Sequence, residues 1–188
     1  MKPLLICAGA LIAAASLASA QSPAATESIT IGGSSLPLMG VGGGGKKIEI
    51  KYSSPRVNNR AGKIFTKDGL IGHDSTYPVW RAGANAATAF HTDADLDIGG
   101  LAVPKGDYTF FVDISDPNNW QLAINKQTGQ SGLDYDKAQD LGRVKMTMSK
   151  PPAPIENLKY TLTDAGGSKG KLQLEWENHI ASVQFTVK

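Results

Sequence analysis

Arginine occupies only four positions in this 188-residue chain, Arg56, Arg60, Arg81 and Arg143, among nineteen basic residues. Three of the four fall in two short segments rich in other recognition groups. Tyr52-Ser53-Ser54-Pro55-Arg56-Val57-Asn58-Asn59-Arg60 gathers hydroxyls, amides and two guanidinium groups within nine residues. Val79-Trp80-Arg81-Ala82-Gly83-Ala84-Asn85 adds an indole, a third guanidinium and a carboxamide. A guanidinium presents a planar fork of donors that fits carboxylate, phosphate or sulfate. Indoles and amides suit sugars and other polar small molecules. These residues predict a ligand site in which Arg56, Arg60 and Arg81 supply charge, Trp80 a platform, and Ser54 and Asn85 orientation. The competing reading is structural: Trp80 in the core, Arg81 bridging to an acid such as Asp136 or Asp140, and Arg56 closing a loop.

Other patterns point to chemistry less well. His91, Asp93, Asp95 and Asp97 recur every second residue, so an extended strand would put them on one face. Same-face neighbours on a strand lie about 6.5–7 Å apart, too far to close on one metal ion without a bulge. A calcium loop starting at Asp93 would need glycine sixth and an acid twelfth, where Ile98 and Pro104 stand. The expectation is a charged, solvated strand edge, with His73 and His179 as surface histidines. Glu175 and Glu177 flank Trp176, and alternation would turn both acids outward, away from the face shared by Leu172, Leu174 and Trp176. Gly40-Val41-Gly42-Gly43-Gly44-Gly45-Lys46 has phosphate-loop spacing, but Lys47 stands where Ser or Thr is needed and a strand pattern follows instead of a helix. No serine sits in a G-x-S-x-G elbow. No catalytic residue, metal site or cofactor is predicted.

The elements that must position the arginines have period two. Ile48-Ile50-Tyr52, Thr88-Phe90-Thr92, Leu96-Ile98, Leu101-Val103, Leu122-Ile124, Val144-Met146-Met148, Leu158-Tyr160-Leu162, Leu172-Leu174-Trp176 and Val183-Phe185-Val187 alternate, and Asp107 to Ile114 is apolar at its centre. Turn residues separate the runs, at Gly99-Gly100, Asp116-Pro117-Asn118-Asn119 and Asp164-Ala165-Gly166-Gly167. No helical stripe appears; Tyr135 to Leu141 supplies a turn or two at most. The expected fold is all-β, an antiparallel, jelly-roll-like β-sandwich spanning 46–188.

Ahead of it, residues 21–45 read as a flexible Gly/Ala/Ser-rich tail with too few apolar groups to offset its ordering entropy; at most Ser28 to Ile31 add a short edge strand. Residues 1–20 read as a signal peptide: Lys2, an apolar run from Leu4 to Ala15, and the small-x-small site Ala18-Ser19-Ala20. The expected location is periplasmic or secreted. Cleavage would remove Cys7, the single cysteine, leaving a disulfide-free domain with eighteen basic and seventeen acidic residues. So even a balance argues against nucleic acid as a partner, and the mature chain carries no predicted transmembrane segment.

Tyr52-Ser53-Ser54-Pro55-Arg56-Val57 with Lys63-Ile64-Phe65 resembles the opening motif of an exported bacterial family known as domain of unknown function 2911. The resemblance continues through Val79 to Asn85, Ala87-Thr88, Leu101-Ala102-Val103-Pro104-Lys105-Gly106-Asp107-Tyr108, Trp120 to Lys126, Thr128-Gly129-Gln130 and Leu174-Glu175-Trp176-Glu177-Asn178. It covers about Ile48 to Phe185. It implies an exported, β-rich domain and no established activity. This chain departs from the family pattern at Ala86, where an acid is expected after the asparagine, so any site using that acid is altered here. The combined expectation is a domain that binds a small polar or anionic ligand or a glycan fragment. Its alternatives are a structural or interaction module of the envelope, and a hydrolase whose acids meet only in the fold.

Overall fold

A computed structural model describes residues 21–32 and 44–188. The expected signal peptide and residues 33–43, which hold the start of the phosphate-loop-like run, lie outside the described residues. Among the described residues thirteen strands form two antiparallel sheets that pack face to face. The first sheet runs β1 (Ala24–Ile31), β2 (Lys46–Ser53), β4 (Thr88–Thr92), β7 (Gly106–Asp113), β8 (Gln121–Asn125), β9 (Asp140–Lys145), with β3 (Val79–Trp80) also paired to β7. The second runs β11 (Ile155–Gly166), β12 (Lys169–Glu177), β13 (His179–Val187), β5 (Leu96–Ile98), β6 (Leu101–Val103), with β10 (Thr147–Ser149) on β13. The sheets do not close into a barrel, and the all-β sandwich read from alternation is the fold observed.

Alternating residues of both sheets fill the space between them. Ile48, Ile50, Phe90, Phe110, Leu122 and Ile124 meet Leu158, Leu172, Leu174, Trp176, Val183 and Phe185, all buried. The continuous apolar run in β7 has its own cause. Phe110 faces this core, while Phe111 faces the opposite side, where Val79, Ala123 and Tyr135 cover it; a strand covered on both faces loses its polar alternation. Arg143 fastens that outer cover, pairing with Asp113 at 2.6 Å and Asp140 at 3.0 Å. Burial, and then the Asp140 hydrogen bond, push the neighbouring Tyr135 hydroxyl up to about 12.

Two expectations change. The segment read as a flexible tail contains β1, which pairs with β2 along its whole length from Ala24 opposite Ser53 to Ile31 opposite Lys46. Its few apolar residues suffice because Ile31 is buried and Ile29 rests on the core, while the polar alternates face water. The run Val144-Met146-Met148 is not one strand. It breaks at Met146, whose N–H donates to the Trp120 carbonyl, so that β9 and β10 belong to different sheets; sandwich corners are built this way.

The long outer strand β11 is sealed rather than open. The N–H groups of Leu158, Tyr160 and Leu162, every second residue, donate to the Pro55 carbonyl, the Tyr52 hydroxyl and the Glu27 carboxylate. Those acceptors come from β1, β2 and the residues just after β2. The edge that could template aggregation is thus stitched to the other sheet, which also fixes where the segment after Ser53 begins.

Candidate functional site

The segment after β2 and the Trp80–Asn85 turn meet at one end of the sandwich. They border a cavity of about 580 Å³ lined in part by Arg56, Arg60, Asp74, Arg81 and Asn85, with Trp80 and Trp176 at its floor. Local chain geometry places them. Trp80 is anchored in β3 opposite Val112. The next residues turn sharply, with Ala82 at φ 52° and Asn85 at φ 60°. The Ala82 carbonyl holds this turn by accepting from the Thr88 hydroxyl at 3.0 Å and the Tyr160 hydroxyl at 2.9 Å. Gly83 is required there, because a Cβ would stand 2.9 Å from Thr88 Oγ1. On the facing wall Asn58 adopts φ 47°, another conformation that asparagine tolerates better than most residues.

The three arginines differ. Arg81 is committed: Nη2 donates to both Asp74 carboxylate oxygens at 3.1 and 3.0 Å, and Nη1 donates to the Asn85 carbonyl at 3.2 Å. Gly132 lies against it, where a Cβ would collide with Arg81 Cδ. Arg56 is exposed and pairs with Glu156 at 3.3 Å. Arg60 donates only to backbone, to the Val57 carbonyl at 3.1 Å and the Arg56 carbonyl at 2.8 Å, and has no carboxylate partner among the described residues. It is the uncompensated cation of the cavity. Asn85 turns its amide to the Ser22 carbonyl at 3.3 Å and to Ser53 Oγ at 3.2 Å, so Gln21, Ser22 and Pro23 also wall the cavity.

Two residues expected to touch a ligand have other work. Ser54 is buried and does not line the cavity; its hydroxyl donates to the Leu158 carbonyl. Trp80 is 1% exposed, its indole N–H donates to the Gly83 carbonyl at 3.2 Å, and its ring stacks on Trp176 at 5.8 Å. At 1% exposure the ring leaves almost no face on which a ligand could stack. Arg81 does bridge an acid, but the acid is Asp74, not Asp136 or Asp140. Sequence reasoning gave Asp74 and Asn58 no role although both lie near an arginine in the chain, and it missed the Gln21–Pro23 wall, which is distant from all of them.

The histidine–aspartate ladder is dispersed. His91 lies on the interior strand β4, not at a sheet edge, between Asp107 at 2.8 Å and Asp93 at 3.0 Å. These carboxylates raise its pKa. Asp95 accepts from the Lys105 N–H and Asp97 from the Gly100 N–H. Among the described residues no group of three or more candidate ligands assembles around a metal position. Beside His91, hydrogen bonds from Lys47 and then Lys51 hold Glu49 down at about 2.

The tryptophan-flanking acids overturn their expectation. Glu175 and Glu177 are both buried, at 8% and 2% exposure. Glu175 bonds Gln173 and Lys159. Glu177 stands at the β12–β13 turn with φ 54°, where strand alternation stops governing side-chain direction, and accepts from the Gly62 N–H.

A model of the family described as Protein of unknown function (DUF2911) matches residues 38–185. The chain belongs to that family. No curated protein and no solved structure matches it. Membership accords with the blocks that carried the resemblance, several of which border the cavity. Among the described residues no helix is long and apolar enough to cross a membrane.

Proposed function

We propose that this family member is an exported binding domain that takes a small anionic ligand, a carboxylate, phosphate or sulfate group or a glycan fragment bearing one, in the arginine cavity. The observation that supports this reading is Arg60. A guanidinium whose only partners among the described residues are backbone carbonyls, at the wall of a cavity of about 580 Å³, keeps donors and a full charge for a ligand anion. Arg81 acts behind it, held by Asp74 and orienting the Asn85 backbone. With Trp80 enclosed, stacking on a neutral sugar loses its support, and the reading narrows from polar ligands in general to anions.

The test is a thermal-shift screen of the purified domain with small carboxylates, phosphates and sulfated sugars, since a ligand specific to the native state raises the melting temperature. Arg60→Ala should leave the ligand-free melt within a few degrees of the parent and abolish the shift. Arg60→Lys should recover only part of it, because an ammonium cannot reproduce the bidentate fork. Equal shifts in parent and Arg60→Ala would refute the assignment. Export has its own check: the mature protein should begin at Gln21, and a secreted form retaining Lys2 would contradict cleavage after Ala20.

A further inference from the structure

On the other side of the aromatic layer beneath the arginine cavity lies a second concavity, of about 340 Å³, at the β12–β13 turn. Phe65 and Tyr77 contribute rings, Pro117 an apolar face, Ser115 and Asn178 neutral hydrogen-bonding groups, and Lys67 an exposed side chain at the rim. Glu177 and His179 line its inner wall. The Glu177 carboxylate is 3% exposed, yet its only charged neighbour within ion-pair distance among the described residues is the His179 ring, with Nδ1 at 3.5 Å. Oε1 accepts one backbone N–H, from Gly62. His179 Nδ1 is itself buried without a hydrogen-bond partner among the described residues. The imidazole stacks on Trp120 at 5.0 Å and meets Phe65 edge-on at 4.7 Å. Burial is the leading cause that lowers its pKa, so near neutral pH it is a poor counter-ion for the carboxylate.

An enclosed carboxylate needs a cation or several donors, and a fold that keeps one short of both carries a destabilising group. The backbone carries a second such group at the same residue. Glu177 takes a positive φ in a two-residue turn, a place where glycine or asparagine is the usual occupant. Unpaired charge and backbone strain at one residue are features a fold retains where a ligand makes use of them.

We infer that this concavity is a second binding site, for an organic ammonium ion: the ammonium donates to Glu177 Oε2, and its carbon body rests on Phe65, Tyr77 and Pro117. An under-compensated carboxylate suits a cationic N–H donor, and aromatic walls favour a cation over a neutral isostere. Phe65, Trp80, Trp120 and Trp176 stand between this site and the arginine cavity, with ring centroids 4.8 to 6.3 Å apart. The inference does not depend on the anion reading.

Benzylamine and benzyl alcohol, titrated into the whole domain at near-neutral pH and followed by tryptophan fluorescence and calorimetry, test it. Benzylamine should bind saturably, at least about tenfold tighter than the alcohol, the difference expected from a charge-assisted contact. Glu177→Gln preserves shape and the Gly62 contact while removing the charge. It should abolish that preference and raise the melting temperature of the ligand-free domain, because an uncompensated charge has gone. Lys67→Ala should leave the ligand-free melt unchanged and strengthen amine binding. Equal binding of amine and alcohol, absence of amine binding, or a lowered melt in Glu177→Gln would overturn the proposal, the last by showing that the carboxylate is already compensated within the fold. A lowered melt in Lys67→Ala would identify Lys67 as the internal counter-ion, with the same consequence.

Discussion

Replacing Arg81 by alanine in the ligand-free domain separates its folding role from a binding role. The side chains of Arg81 and Asp74 are 18% and 17% exposed, joined by two N–H···O contacts near 3.0 Å, with a further donation to the Asn85 carbonyl. A solvent-exposed ion pair contributes about 0–1 kcal/mol, and stripping one partner from a buried pair costs about 3–5 kcal/mol. Exposure below one fifth puts this pair nearer the buried limit, while residual water access at Asp74 discounts it. We expect Arg81→Ala to cost about 2–3 kcal/mol. For a domain of this length each kcal/mol moves the melting temperature by about 2–4 °C, so the drop should be about 4–12 °C. Urea unfolding of the parent, Arg81→Ala, Asp74→Ala and the double variant completes the cycle, and the double variant should be more stable than the summed single losses predict by about 1–2 kcal/mol. A loss below about 0.5 kcal/mol, or strict additivity, would refute the claim that the pair holds the cavity wall.

Removing residues 21–32 should destabilise the domain by about 2–4 kcal/mol, on the order of the burial of Ile31 and part of Ile29; an unchanged urea midpoint would return β1 to the status of a dispensable tail. The two perturbed histidines should give opposite pH dependence. His179 has its folded pKa lowered below 6.5, so its contribution is complete above 6.5 and lost as pH falls toward the folded value, where the unfolded chain binds the proton first. His91 has its folded pKa raised, so its contribution is complete below 6.5 and lost as pH rises through the folded value. Urea stability from acid to mildly alkaline pH for the parent, His179→Gln and His91→Gln should show each variant losing only its own slope, and a shared slope would contradict the assignment.

The architecture was legible in the local sequence pattern. Period-two alternation in Ile48-Ile50, Leu172-Leu174-Trp176 and Val183-Phe185 dictates strands with one buried face. Turn residues such as Gly99 and Gly100, at φ 57° and 91°, dictate where those strands reverse. These are local properties, set by backbone sterics and by which side chains prefer to leave water. The convergence of Arg56, Arg60, Arg81 and Asn85 was also legible, because unusual residue types clustered in loops between such strands. Which side chains meet in the loops followed only from how those loops pack. Arg81 meets Asp74 because the 57–78 loop folds back across the sandwich end, and Arg60 keeps its charge because no acid arrives there among the described residues. Alternation predicts an outward Glu177, but the β12–β13 turn gives it a positive φ and the 57–66 loop covers it. β1 shows the same limit from the other side. Eight residues with little apolar content form a strand because β2 offers an open row of hydrogen-bonding groups, a feature of the folded sheet and not of the segment.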